Sequence, residues 1–341
     1  MAWNRQRITY TAAVTIVLAD LVAGALLVSS GGVRVRPAAA TPAPTHPATS
    51  SPSPSSPPPL RSPFTGERVS SLNPVLAVKI DNGALARPQT GLPDADIVYV
   101  LPVEGGLSRL MAIFSSHYPT VAGPVRSARQ DDLTLLRQFG QPGFAYSGAT
   151  PRLLRYIHRT GRIVDLYAGT TSGYYRNWNR AEPYNLYAYP RELLSAAAGA
   201  STAHDVGFRF GPPPPGGRAR RSVSVSYPAS EFTFTWSAAK RRWLVSMDGT
   251  PAVSPRGEQL SAATVVIQHT AVSTSRFLER GHRPPFAQST GSGRALILRT
   301  GQAWAGHWSR PTARAGTTFT TASGGPMTFA RGQVWVVLAY P

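Results

Sequence analysis

The chain of 341 residues contains no cysteine. That excludes disulfides, thiolate metal sites and a lipid-modified N-terminal cysteine. Lysine is nearly missing too: Lys79 and Lys240 are the only two, so almost every cation is an arginine. Acids are scarce, with Asp+Glu 16 against Lys+Arg 35 and a net charge of +19. The abundance of Ala, Pro, Gly and Arg fits a GC-rich coding bias, yet the positive field is real and favours polyanions at low salt. Nucleic acid, anionic lipid headgroups and anionic wall polymers are the classes it admits. Several chemical signatures are absent as well. No G-x-x-x-x-G-K pattern occurs around residues 123–129, which excludes a P-loop there, and no G-x-S-x-G elbow is present. The seven histidines lack HExxH or other ligand spacing, so no metal or other cofactor is expected. No internal repeat is found.

What is present begins with an address. Arg5 and Arg7 precede an apolar run over residues 8–28. At ~1.5 Å per residue this run reaches roughly 30 Å, about one hydrocarbon thickness. A cleaved signal has a shorter core of about 7–15 residues. The reading is therefore a cytoplasmic tail over residues 1–7 and an uncleaved, single-pass anchor over 8–28, with the body outside the cytoplasm. Secretion after cleavage near Ala38 and Ala40 is the alternative. Asp20 counts against the anchor, since a central acid costs a few kcal/mol. Residues 37–63 form a Pro/Ser/Thr/Ala tract that cannot bury a core and favours extended polyproline II, a semi-rigid stalk.

Two folded units follow. In residues 71–210, strands are predicted at 75–80, 96–103, 107–115, 144–146 and 163–167. Helices are predicted from about 128 to 139, from Pro151 to Gly161, and over 190–198. Ser127-Ala128-Arg129-Gln130 fits a capping box. Hairpins with strand–helix alternation point to a mixed α/β domain. GPPPPGG at residues 211–217 reads as a linker. Residues 218–341 then change to short strands between turns, the pattern of a small β-rich sandwich or barrel-like domain. The fold class expected is α+β.

The charges of residues 75–132 sit at turns and strand ends between apolar runs, where a core does not require them. Lys79, Asp81, Asn82, Glu104, Arg109, Arg126 and Arg129 are the candidates, with Asn185 from an aromatic stretch further on. Arg126 precedes a helix start and Arg129 lies in its first turn, where guanidiniums and free N–H groups suit a carboxylate or phosphate. The plainer alternative is that these arginines pair with Asp131, Asp132 or Glu104. Glu104 and Asp81 could flank a glycosidic bond as an acid–base pair, but turn chemistry explains them equally. Tyr174, Tyr175, Trp178, Tyr184, Tyr187 and Tyr189, interleaved with Arg176, Arg180 and Asn185, could stack sugars or peptides, or simply fold back over the core.

The motifs LAVKIDN, ARPQTGLPDADIVY, VEGG, SRLMAIF and GPVRSAR, in that order, resemble the YerB-like family of bacterial envelope proteins. The resemblance continues through YNLYA at 184–188. It resumes at RRWLVSMDG, ATVVIQH and TGSGRALILRTGQAWAGHWSR, covering roughly residues 72–338. It implies N- and C-terminal domains, a lipoprotein-like envelope placement and no assigned activity. This chain departs from the family pattern in lacking the lipidated cysteine, in Val100 where an acid commonly stands, and in Tyr184 where His is frequent. The combined expectation is a membrane-anchored envelope protein that binds an anionic cell-wall polymer or an envelope protein, with no nucleic acid as partner. The alternative is a wall-acting hydrolase or transferase using Glu104 or Asp81.

Overall fold

Short apolar runs bounded by turns become strands here, and most of them join one sheet. The computed structural model describes residues 58–279 and 281–341. The expected tail and anchor, and most of the expected stalk, lie outside these residues. No helix among the described residues is long and apolar enough to cross a membrane. Folded structure begins before residue 71, because Arg61 bridges to Arg68 and Ser62 and Phe64 are buried.

In the N-terminal half the strands are β1 (Leu76–Asp81), β2 (Ile97–Pro102), β3 (Ser108–Phe114), β4 (Gly143–Tyr146), β5 (Val164–Tyr167), β6 (Tyr174–Arg176) and β7 (Leu186–Ala188). The helices are α1 (Gln130–Leu136), α2 (Pro151–Thr160) and α3 (Pro190–Ala196). In the C-terminal half, β8 (Arg218–Ala219), β9 (Ser222–Tyr227), β10 (Ser230–Ser237), β11 (Arg242–Met247), β12 (Thr250–Pro251) and β13 (Ser261–Ala262) come first. They are followed by β14 (Thr264–His269), β15 (Val272–Thr274), β16 (Pro285–Ala287), β17 (Gly291–Arg299), β18 (Gln302–Arg310), β19 (Thr318–Thr321) and β20 (Val334–Ala339).

The main sheet has 11 strands in the order β19-β18-β17-β14-β20-β2-β3-β1-β4-β5, with β8 also pairing β18. The last strand, β20, lies parallel to β2 on one side and to β14 on the other, so Val334 faces both Ile97 and Thr264. Every residue of β20 is buried, as the apolar run VWVVLA requires of a strand covered on both faces. The sheet therefore continues across the 211–217 run. The strands from residue 264 onward extend the first half's sheet instead of closing on themselves, which corrects the expected separate sandwich or barrel.

In the first half β4 lies parallel to β1 and β5 parallel to β4, with α1 and α2 in the connections. The protein is mostly β, with some helices. The helical spacing after Ala128 supports only one α-helix of 7 residues before the chain tightens into a 3-10 turn over Arg137–Phe139 and stops at Gly140. Its capping acid is Asp132 rather than Gln130, since Asp132 Oδ2 accepts from the backbone N–H of Arg129 at 2.7 Å.

Two cores result, one on each face of the main sheet. On one face α1 and α2 bring Leu133, Leu136, Leu153 and Ile157 against Ala77, Tyr99, Met111 and Ile113. On the other face the five-stranded sheet β12-β11-β10-β9, with β13, packs Phe232, Phe234, Trp243 and Val245 against Val98, Val100, Leu110 and Trp335. Trp335 has no exposed surface and lies 6.1 Å from the ring of Phe234 in an edge-on arrangement. Trp335→Ala is expected to cost ~3–5 kcal/mol, the usual range for emptying a large aromatic site. Urea unfolding followed by fluorescence and by far-UV circular dichroism should still show one shared transition, because β20 ties the two halves together.

Candidate functional site

Strand periodicity sorts the candidate residues. In β1, Lys79 and Asp81 point to the face that α1 covers, and Asp81 stands directly opposite Arg109 of β3. Lys79 lies beneath the helix and Asp81 beyond its N-terminal end. The segment 124–126 runs along the last residues of β1, beyond the three that β4 pairs with, Arg126 N–H donating to Lys79 O at 2.8 Å and Asp81 N–H to Pro124 O at 2.9 Å. This brings the Arg126 side chain to Asp81, Nε to Oδ2 at 2.5 Å. Glu104 sits in the β2–β3 turn, where Gly105 and Gly106 take the left-handed conformation at φ 70° and 71°. A side chain at Gly106 would collide with Pro228 of the C-terminal half, so that turn can lie flat against it.

A cleft of about 740 Å³ opens at this end of the strands. Of the sequence candidates, Asp81, Glu104, Arg109, Arg126 and Arg129 line it; Lys79, Asn82 and Asn185 do not. Asn82 is buried, donating to Ser108 Oγ and accepting from Gln89. Asn185 Oδ1 accepts from Arg176 at 2.7 Å, and its Nδ2 is buried without a partner. The aromatic stretch folds into the β6–β7 ribbon, with Tyr175 stacked on Tyr187 and Tyr189. From it only Tyr184 reaches the cleft, with the Arg126 guanidinium 5.9 Å from its ring centre.

The cleft's carboxylates are engaged. Arg129 grips Glu104 through Nε and Nη2, the latter at 3.0 Å, and lies 3.8 Å from Glu279. Burial pushes the Glu104 carboxyl up, but the hydrogen bonds and charge of Arg129, with Arg109 behind, outweigh it and hold its pKa below the ordinary value. Arg109 differs. It is 8 % exposed, its Nη1 donates to the Ser127 carbonyl at 2.8 Å, and among the described residues no carboxylate lies within ion-pair distance. Burial, then the charges of Arg129 and Arg126, lower its pKa to about 10 against the opposing pull of Asp81 and Glu104.

Sequence reasoning missed the far wall. Glu279, His282 and Arg283 come from the loop between β15 and β16, joined by Ser273, Thr274 and Tyr340. Gln130 clasps that loop, its Oε1 accepting from Ser275 Oγ and from the Arg276 backbone, both at 2.8 Å. No local pattern announces these residues, because they enter the site only through contacts with a helix about 145 residues earlier. Val100 belongs elsewhere: it is buried between the two sheets, so an acid there would not reach the cleft.

Beneath the cleft, Lys79 Nζ meets Asp132 Oδ1 at 2.5 Å, both fully buried. Asp131 adjoins them; one oxygen accepts from the Asp132 backbone N–H at 3.1 Å, while Oδ2 has no partner. Burial, then the Asp132 charge, push the Asp131 carboxyl up to about 7.

Two family models match the chain: the N-terminal domain of "Protein of unknown function (DUF3048)" over residues 64–203, and its C-terminal domain over 223–336. The chain is 43% identical over 96 residues to a Bacillus subtilis (strain 168) protein called "Putative lipoprotein YerB". That match takes in 27% of this chain and 28% of the relative, little more than a quarter of the relative's length. The crystal structure of YerB protein from Bacillus subtilis superposes with a TM-score of 0.70 at 22% identity, covering 82% of this chain and 96% of that one. At that identity the likeness speaks for the fold alone.

A raised carboxyl pKa means that the folded state holds a proton the unfolded chain releases near pH 4. The Asp131 contribution to stability is thus fully present below about pH 4 and is lost as pH rises through about 7. Asp131→Asn, which stays neutral, is expected to stabilise the protein on the order of 2 kcal/mol at pH 8 and to leave it unchanged near pH 4. Urea midpoints at the two pH values check this.

Proposed function

We propose that this chain, which belongs to the DUF3048 family, is an exported envelope protein whose cleft binds an anionic ligand, a carboxylate- or phosphate-bearing component of the wall or of an envelope partner. The observation that carries this reading is Arg109. A guanidinium held 8 % exposed between Arg126 and Arg129, with no carboxylate of its own, is electrostatically incomplete. Desolvating a cation without a counter-charge is costly, and a bound anion offsets that cost. Tyr184 and the rim residues His282 and Arg283 add a ring face and further donors for the rest of such a ligand.

Binding is better supported than turnover. A general acid needs a carboxyl that keeps its proton near neutral pH. Glu104 is shifted the other way, and Asp81 is tied to Arg126. The envelope placement draws on the apolar run at residues 8–28 and on the name of the Bacillus relative.

Solubilised wall polymer titrated into the full-length chain tests the proposal. Saturable binding without released fragments is expected, and Arg109→Gln should weaken it at least about tenfold, ~1.4 kcal/mol. The same variant should keep or raise the melting temperature, because it removes a buried, like-charged neighbour from Arg126 and Arg129. Fragment release that disappears in Glu104→Gln would replace binding with hydrolysis.

A further inference from the structure

A second hollow, of about 780 Å³, shares no lining residue with the cleft. Trp236, Lys240, Arg241, Arg242, Arg299 and Arg331 line it, and no acidic side chain does. Among the described residues none of these five cations forms an ion pair. Arg299 is the most constrained. It is 3 % exposed, and its Nη atoms donate only to neutral acceptors, the carbonyls of Thr328 and Gly211 and the Thr328 hydroxyl. Its Nε is buried with no partner at all. Arg241, at the β10–β11 turn, holds a left-handed backbone at φ 51°, a position that glycine would fill without strain. An arginine there adds charge to the wall of the hollow at a conformational cost.

We infer that this hollow is a binding site for a linear phosphate polymer. Guanidiniums donating in fixed forks suit phosphate oxygens. Depth argues for a chain over a lipid surface, since a planar headgroup layer cannot reach a side chain as buried as Arg299. The aromatic wall argues against nucleic acid, which uses successive stacking platforms. Trp236 is the one ring lining the hollow, and it is already packed on Trp243 and on the backbone at Gly301.

Short-chain sodium polyphosphate, titrated into the full-length chain in non-ionic detergent at physiological ionic strength, is the test. Saturable binding with a shift of the Trp236 indole N–H resonance is expected. Arg241→Gln/Arg242→Gln/Arg331→Gln should weaken it at least about tenfold, as loss of several phosphate contacts does. Arg152→Gln/Arg155→Gln/Arg159→Gln removes equal charge from the exposed face of α2 and should leave it intact. Arg109→Gln, which alters the cleft alone, should leave the Trp236 shift intact, so the cleft and the hollow can fail independently. Absence of saturable binding, or equal losses in the two triple variants, would overturn the inference. So would tighter binding of oligothymidylate or of phosphatidylglycerol vesicles at equal phosphate.

Discussion

The ammonium of Lys79 has no exposed surface, and a charge so placed in a strand must be met by another. Asp132 meets it from α1 and with its second oxygen caps that helix through the Arg129 backbone. One carboxylate thus fixes both the position of α1 on the sheet and where the helix begins. The start of α1 sets Arg129 beside Glu104 and presents Gln130 to the loop that carries Glu279 and His282. Hydrophobic contacts from Leu133 and Leu136 hold the helix down, but they do not specify its register as a paired charge does.

Above that pair, the charges of the cleft divide into two kinds. Arg126 and Arg129 commit their guanidiniums to Asp81 and Glu104, which builds a stiff rim and holds the Glu104 pKa below its ordinary value. Arg109 is left in the floor bonded to a backbone carbonyl, near two like charges and near Asp81 and Glu104, carboxylates already held by other arginines. A site organised in this way favours holding an anion over moving a proton. The cation-lined hollow around Arg299 applies the same logic more strongly, with no acid in its lining.

Both halves of the chain are needed for the cleft. Because β20 pairs with both β2 and β14, the strands of the two family domains form two adjoining blocks of one continuous sheet. The cleft draws its floor from the first half and its far wall from the second, and Gly106 permits the close approach between them. The proline-rich run at 211–217 lies between the two family domains and divides the strands into those two blocks, although not into two sheets.

The sequence by itself determined the local elements and the family. Strand runs such as 75–80 and 334–338, the Pro151 start of α2 and the charged segment 75–132 were all legible, because period, turn chemistry and propensity act over a few residues. Of the eight candidate residues it marked, five line the cleft. Only the tertiary structure decided which charges are spent and which are free. Lys79 and Asp132 are 53 residues apart, Arg129 and Glu104 are 25 apart, and the rim from residues 273–285 lies further still. Such pairings depend on sheet register and helix placement, which no local pattern encodes. For the same reason Asn82 and Asn185 turned out to be internal hydrogen-bonding groups, and the shared sheet became visible only once β20 had found both its neighbours.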